Sequence, residues 1–323
     1  MSSPRVTVIT LAVGRPYYLG LAINLARSFL RFHDPKTITF RIVSDLTTPL
    51  PPDLRGCERQ RIEPGQYGTG FSPKIHLDKF APDGPTLLLD SDLLIYEPLD
   101  RLLSALVGHP VATVAREVRS GEWFGDVANY CARLGVPAIP RFNGGLYYME
   151  PGRTASAVYE TARSLAKRYD ELGLVRLRGQ PDDELVMAGA MACHGLRGLY
   201  DDGTYMTDPM ACQGPLTLDV LHGRRLLVNP PPPSPLHQAW NPFQLQSPTL
   251  VHFLNEHALG PHYRAEAVRL RLAANGWPIA MACLAANVGT LWPGEALLAA
   301  KSAVRPLVHS LVGPRRVRPT PRQ

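Results

Sequence analysis

The chain has 323 residues, 45% hydrophobic and 19% charged, enough apolar material for a full globular core and not the composition of a disordered segment. Its formal charge of +6 comes wholly from Lys301, Arg305, Arg315, Arg316, Arg318 and Arg322, so the rest is neutral, nucleic acid is not implied, and any electrostatic partner belongs to the tail. Five scattered cysteines without a CxxC pair support neither a disulfide framework nor a zinc ribbon, and fit a reducing compartment.

The apolar run at 6–13 is too brief for a signal peptide and ends in Gly14-Arg15-Pro16 without a cleavage-like site. Its β-branched sequence, "VTVITLAV", predicts a first strand buried on both faces. Tyr18, Ala22, Leu25, Phe29 and Phe32 then mark one face of a helix over about 17–32, stopped by His33-Asp34-Pro35. "ITFRIVSD" reads as a second strand, and strand, helix, strand in that order predicts a right-handed parallel unit whose ligands gather at strand C-terminal ends. Residues 47–53 read as a loop, "PTLLLD" as a central strand ending at Asp90, and "FNGGLYYME" as a turn entering another strand. Val158, Ala162, Leu165, Tyr169 and Leu172 predict a second amphipathic helix. From about 200 to 248 the density of Pro, Gly and Asp predicts irregular loops, followed by a short strand "TLVHF". The last sixty or so residues read as a helical appendage with a disordered basic tail, and 278–300 is too interrupted for a spanning helix.

The chemistry concentrates in "LLLDSDLLI". Residues i and i+2 point the same way along an extended or turning backbone, so Asp90 and Asp92 converge while Ser91 points elsewhere. Paired carboxylates suit Mg²⁺, Ca²⁺ or Mn²⁺, all partners of phosphate oxygens. An isolated DxD is more often an acidic turn capping a following helix, so its company has to decide. "FSPKIHL" sets Lys74 just before this strand, either to meet a phosphate or as a solvated helix charge.

The order "LAVGRPYYLGLAINLARSF", "FSPKIHLDKF", "TLLLDSDLLIYEPLDRL", "FNGGLYYME", "PDDELVMAGAM" and "LVHF" resembles the retaining glycosyltransferases of the glycogenin and lipopolysaccharide galactosyltransferase group, family eight, over roughly residues 5–255. The resemblance implies a GT-A type α/β fold, with a Rossmann-like, mostly parallel central sheet flanked by helices. On that reading 1–262 is the nucleotide-sugar domain and 263–323 a C-terminal helical segment and basic tail. It also implies a UDP-sugar donor and Mn²⁺, with Mg²⁺ as second choice, held by Asp90, Asp92 and His252. Adding an imidazole to two carboxylates independently favours Mn²⁺. His257 and His262 follow at intervals of five, which rotates each by about 140° on a helix and leaves no shared metal face. By the same resemblance, Ala12, Val13 and Gly14 would offer backbone groups to uracil and Tyr18 would stack on it, or else Tyr18 simply opens the core face of its helix. Ser91 lies within the cofactor-binding stretch with Asp90, Asp92 and Lys74. Asn143, Asp182 and Asp183 fall at the family's sugar-facing positions. Departures are Asp183 in place of the glutamine beneath the anomeric carbon, Met187 in place of a later asparagine, and no Gly or Lys-Pro-Trp segment after His252. Arg264 or Lys74 would replace that segment as phosphate clamp. Asp182 and Asp183 are also what the first turn of a helix carries to balance its dipole.

The reaction implied is transfer of a hexose to an acceptor hydroxyl on a glycan, a lipid-linked molecule or a small molecule, with retention, and with a covalent intermediate on Asp183 conceivable as in retaining glycosidases. Two other classes compete: a haloacid-dehalogenase-like phosphatase, whose strand-end DxD would normally continue with Gly or Thr and open the domain, and a non-catalytic nucleotide-sugar binding protein. The basic tail behind Leu284, Leu291, Trp292, Leu297 and Leu298 suits peripheral contact with an anionic membrane, or serves as a solubilising end. The expected location is cytoplasmic, at the inner face of the membrane if that contact is made.

Overall fold

The computed structural model describes residues 6–81 and 84–313. The first half runs β1 (Thr7–Leu11), α1 (Pro16–Phe32), β2 (Thr39–Ser44), β3 (Glu58–Arg61), a 3₁₀ turn Ser72–His76 leading into α2 (Leu77–Phe80), β4 (Thr86–Leu89), β5 (Leu93–Ile95), α3 (Asp100–Leu106), β6 (Val111–Ala112) and β7 (Val114–Val118). It continues with α4 (Val127–Leu134), β8 (Ile139–Phe142), β9 (Leu146–Met149), α5 (Arg153–Lys167) and α6 (Asp183–Cys193).

The central sheet has six strands in the order β3-β2-β1-β4-β9-β6. Strands β1 to β4 are parallel, and β9 turns the sheet antiparallel at β4 and pairs antiparallel with β6. The chain leaves β1 toward β2 on one side and returns to β4 on the other, so the strand order reverses between β1 and β4. The C-terminal ends of two strands at such a reversal are where open α/β sheets take ligands. All four residues of β4 are buried, as an apolar strand covered on both faces requires. One face packs Ile9, Val43 and Leu88 against α5 and α6; the other packs Val8, Phe40, Leu87 and Leu89 against α1 and α3.

Residues 200–248 differ from the irregular loops expected. After β10 (Leu199–Tyr200) and β11 (Met206–Thr207), β12 (Leu216–Asp219), β13 (Arg224–Val228) and β14 (Leu245–Gln246) form a small antiparallel sheet. Its strands are two to five residues long, β13 and β14 standing apart across a Pro-rich connection, so no period accumulates that a sequence pattern would reveal. β15 (Leu250–His252) then pairs antiparallel with β5 and parallel with β11.

The C-terminal helices are α7 (Pro261–Ala274), α8 (Ile279–Ala286), a π turn Asn287–Leu291 and α9 (Trp292–Val312). Tyr263, Leu270, Ala282 and Cys283 join Leu94, Tyr96, Val251 and Phe253 in a third apolar cluster. Glu266 and Arg269 are buried as an ion pair in α7; Glu266 accepts from the Val220 N–H at 2.6 Å and Arg269 donates to the Leu218 carbonyl at 3.1 Å. Lys301 and Arg305, expected in a disordered tail, lie in α9, whereas Arg315, Arg316, Arg318 and Arg322 fall outside the described residues. Among the described residues no helix is long and apolar enough to cross a membrane.

Candidate active site

Asp90 follows the last residue of β4, its N–H donating to the Gly145 carbonyl at 2.9 Å, and the Leu93 N–H closes the turn onto the Asp90 carbonyl at 3.1 Å. The antiparallel register of β15 on β5 sets His252 opposite Leu93. His252 thereby reaches the aspartates: Nε2 lies 2.9 Å from Asp92 Oδ1 and 3.7 Å from Asp90 Oδ2. Ser91, between them, is buried.

The other ring nitrogen fixes the tautomer. Asn143 Oδ1 accepts the Gly145 N–H at 3.0 Å, which identifies it as the amide oxygen, and it lies 2.7 Å from His252 Nδ1. An amide oxygen only accepts, so Nδ1 carries a proton in either charge state and Nε2 faces the carboxylates, donating to Asp92 when the ring is charged and able to ligate a cation when it is neutral; this is the arrangement by which an outer partner orients a metal-binding histidine. Ligand atoms of Asp90, Asp92 and His252 all lie within 4.8 Å of one another. Neighbouring ligands of an octahedral cation with bonds of about 2.0–2.3 Å stand about 3 Å apart, a spacing the two His252 distances bracket. The three side chains therefore form a set that can hold a cation.

Lys74 is neither solvated nor aimed outward. Nζ donates to Asp90 Oδ2 at 2.8 Å and to the Gly144 carbonyl at 2.9 Å, and lies 3.3 Å from Asp183 Oδ2. Its side chain is 12% exposed and that of Asp183 3%. Burial alone would lower the lysine, but the charges of Asp183 and Asp90 outweigh it and hold the ammonium above its ordinary range. Burial lifts the Asp90 carboxyl despite Lys74 and His252 beside it. Burial also opposes ionisation of Asp92, yet the charge and hydrogen bond of His252 hold it below the usual carboxylate range. His252 is the mirror case: burial works against its charge, and Asp92 and Asp90 raise it.

Asp183 Oδ2 also accepts from the Tyr147 hydroxyl at 2.6 Å. Asp182 is the N-cap of α6, its Oδ1 accepting from the Glu184 N–H at 2.9 Å and the Leu185 N–H at 3.3 Å. Burial, then the neighbouring Asp183 charge, pushes the Asp182 carboxyl up to about 7. Glu184, which sequence reasoning passed over, accepts the Gly144 N–H at 2.7 Å and is driven above its ordinary value by burial and then by Asp182 and Asp183. Asp182 and Asp183 line one wall of a cleft of about 330 Å³, with Thr69, Ser72, Arg176 and Gln180 among its other polar lining.

At the end of β1 the Ala12 N–H donates to the Val43 carbonyl at 2.9 Å and the Ala12 carbonyl accepts from Ser44 Oγ at 2.7 Å. Gly14, at φ +79°, donates its N–H to both oxygens of Asp45 at 3.0 Å. The amides expected to read a base at Ala12 and Gly14 are thus engaged by the end of β2, and Asp45 joins this edge unforeseen. Val13 between them is half-buried. Tyr18 is 38% exposed and Tyr17 42%, their rings 5.5 Å apart edge to face. Burial, then the charges of Asp92 and Tyr18, raise the Tyr17 hydroxyl above its ordinary value. Arg264 is exposed in the first turns of α7.

Solved structures share this sheet order and its surrounding helices. A galactosyltransferase, LgtC, in complex with donor and acceptor sugar analogs superimposes with a TM-score of 0.53 at 14% identity, over 84% of this chain and 95% of that one. The two share a fold. An active-site mutant of LgtC gives a TM-score of 0.51 at 13% identity, over 77% of this chain and 87% of that one. The mixed α/β architecture with a mostly parallel six-stranded sheet is the GT-A arrangement expected from the sequence. No family model and no curated protein sequence matches the chain.

Proposed function

We propose that this chain is a metal-dependent glycosyltransferase that moves a hexose from a UDP-sugar to an acceptor hydroxyl, with retention carried over from the sequence resemblance. What carries this reading is the meeting of Asp90, Asp92 and the Asn143-oriented His252 at the C-terminal edge of β4, beside the buried Lys74 and Asp183. Bound to Asp90, Asp92 and His252, Mn²⁺ would neutralise the diphosphate as it departs. In this reading Asn143 fixes the histidine's tautomer and Lys74 fixes the Asp90 carboxylate. Tyr17 and Tyr18 offer ring faces to the base, and Arg264 is the cation assigned to phosphate. Asp182 meets sugar hydroxyls on the cleft wall, its carboxyl raised by burial and by the neighbouring Asp183. Asp183 acts through its charge. Its Oδ2 already faces Tyr147 and Lys74, so the covalent route through it is set aside in favour of electrostatic stabilisation of a positive sugar. The cleft gives a sugar-sized acceptor room beside these two acids.

The test is product analysis with purified protein, Mn²⁺ and UDP-hexoses against the same mixture in chelator. Metal-dependent UDP release that disappears in Asp92→Asn supports the transferase. Phosphate release from monoesters instead marks a phosphatase, and binding without either marks a nucleotide-sugar binding protein.

The second half of the reading is peripheral attachment to an anionic membrane, at the cytoplasmic face. Trp277, Met281, Leu284, Val288 and Trp292 recur at intervals of three and four and are each about half exposed, as are Leu297, Leu298 and Val304 beyond them. Lys301 and Arg305 continue the same run, and a basic residue near such a surface contributes about 1 kcal/mol. Truncation after Ala300 should leave UDP release intact and reduce sedimentation with anionic liposomes, and high salt should weaken the full chain's binding. A full-length protein that ignores anionic liposomes at low salt ends the membrane reading.

A further inference from the structure

A second convergence of unlike donors lies where the turn between β12 and β13 meets α8. Asp219 closes β12, His222 sits in the turn, and Cys283 comes from the buried side of α8. His222 Nδ1 is 2.8 Å from Asp219 Oδ2, Cys283 Sγ is 3.5 Å from the same oxygen, and Sγ and Nδ1 are 3.9 Å apart. One ring nitrogen thus faces both the carboxylate and the sulfur. A nucleophile triad needs the two ring nitrogens on different partners, so proton relay through this imidazole is geometrically closed. Three heteroatoms around one point are instead what a cation needs.

The spacing agrees. Tetrahedral zinc, with bonds of about 2.3 Å to sulfur and about 2.0–2.2 Å to nitrogen and oxygen, sets its ligands about 3.6 Å apart for the sulfur pairs and about 3.4 Å for nitrogen and oxygen. The two sulfur distances lie within a few tenths of an ångström of that, and the His222–Asp219 pair must open by about 0.6 Å as a metal replaces the shared proton. The turn is held by its own backbone and from α1: the Leu221 and His222 N–H groups donate to Asp219 Oδ1 at 3.1 and 3.3 Å, and Arg31 donates twice to the Leu221 carbonyl at 3.2 and 3.0 Å.

We propose that Asp219, His222 and Cys283 form a zinc site, distinct from the Asp90 cluster, that ties the β12–β13 turn to α8. The sulfur and imidazole donors select a softer cation than Mg²⁺ or Ca²⁺. His222 is half-exposed, so the fourth position opens to solvent. Binding expels the cysteine proton and the one shared by His222 and Asp219. On α8 the ligand Cys283 is buried while Met281 and Leu284 beside it are exposed, so the metal would anchor the helix that presents the apolar stripe.

Cobalt tests this without reference to sugar chemistry. The full chain, stripped with chelator, is titrated with Co²⁺ and followed in the near ultraviolet, where only thiolate ligation gives an intense sulfur-to-cobalt band. The Asp90 cluster has no sulfur and stays silent there. Expected is a band that stops growing by two Co²⁺ per chain in the wild type and by one in Asp92→Asn, is displaced by Zn²⁺, is absent in Cys283→Ser, and needs more than about 100-fold more Co²⁺ in His222→Ala. His222 is exposed enough that its variant serves if Cys283→Ser does not fold. A chain with no band at millimolar Co²⁺, or a band unchanged in both variants, overturns the site and leaves a hydrogen-bonded cluster.

Discussion

Replacing Lys74 by methionine keeps the aliphatic stem and removes one charge from between two acids. With Nζ 2.8 Å from Asp90 and 3.3 Å from Asp183, and the lysine and Asp183 almost wholly buried, the deletion leaves two carboxylates without their shared cation. Breaking a buried pair costs about 3–5 kcal/mol, and Asp90, 24% exposed, recovers part of its share from solvent. About 3 kcal/mol is therefore the expected loss, a drop of roughly 6 °C in Tm at about 2 °C per kcal/mol for a chain of this size. The same ammonium competes with any cation for Asp90 Oδ2. A unit charge at about 4 Å is worth about 4 kcal/mol at an effective dielectric of 20. If screening leaves a third of that, Mn²⁺ binds Lys74→Met about tenfold more tightly than the wild type. Differential scanning fluorimetry across a Mn²⁺ titration reads both quantities: a lower Tm in chelator and a larger upward shift per unit of metal. Adding Asp183→Asn, which keeps an acceptor for Tyr147, should recover much of the lost stability. A Lys74→Met protein that melts within 2 °C or so of wild type and binds Mn²⁺ no better would show that this charge is solvated, and the account of the site's electrostatics would fail.

Three further outcomes are expected. Gly145→Ala would set a Cβ 2.6 Å from His252 Nδ1 and 3.2 Å from Asn143 Oδ1, and a ring held on both sides cannot yield without losing a partner; overpacking of about 1–3 kcal/mol and weaker Mn²⁺ binding should appear together, and a normal titration curve would count against the assigned tautomer. Asp183→Asn should lower turnover by about 100-fold while donor affinity stays within a few-fold, as measured by single-turnover kinetics and equilibrium binding; a loss confined to affinity would reassign the residue to ground-state contact. Glu266 is wholly buried in α7, and burial, only partly offset by Arg269, pushes its carboxyl up to about 7. A carboxyl raised on folding favours the folded state below its unfolded value near 4.5, and that advantage is lost as pH rises through about 7. Relative to Glu266→Gln, the wild type should therefore lose up to about 3 kcal/mol of stability between pH 4.5 and 8 in urea titrations, and parallel pH curves would refute the shift.

What the sequence disclosed about the site was local or ordered. Asp90 and Asp92 stand out because two residues after an apolar strand need no partner to be seen, and His252 was reached through the order of motifs. The Lys74–Asp183 pair was not legible, because its members are far apart in sequence and either alone reads as an ordinary helix charge. Tyr18 was assigned to the base by resemblance, with the core face of its helix as the alternative, and Tyr17, whose exposed ring meets it edge to face, was passed over because it falls outside the apolar spacing of that helix. Asn143 was assigned to sugar by resemblance, and only coordinates reveal that its oxygen holds Gly145 and His252. The β12–β14 sheet escaped because short strands among prolines carry no period, and its ladder joins Leu216 to Leu227 and Leu227 to Gln246.

The separation between Asp92 and His252 bears on how the protein is made. The two contacting side chains are 160 residues apart, and β15 completes its ladder only by inserting between β5 and β11. On the ribosome, β1 to β9 can pack while the histidine has yet to be translated, so the nascent chain displays both aspartates long before it owns the imidazole. Closing a loop of that length costs about 4–5 kcal/mol of chain entropy, recovered only when Val251 and Phe253 bury against Leu94 and Tyr96. The three-residue site is thus a late event of synthesis, and a chain truncated before β15 would fold much of its sheet and never assemble it.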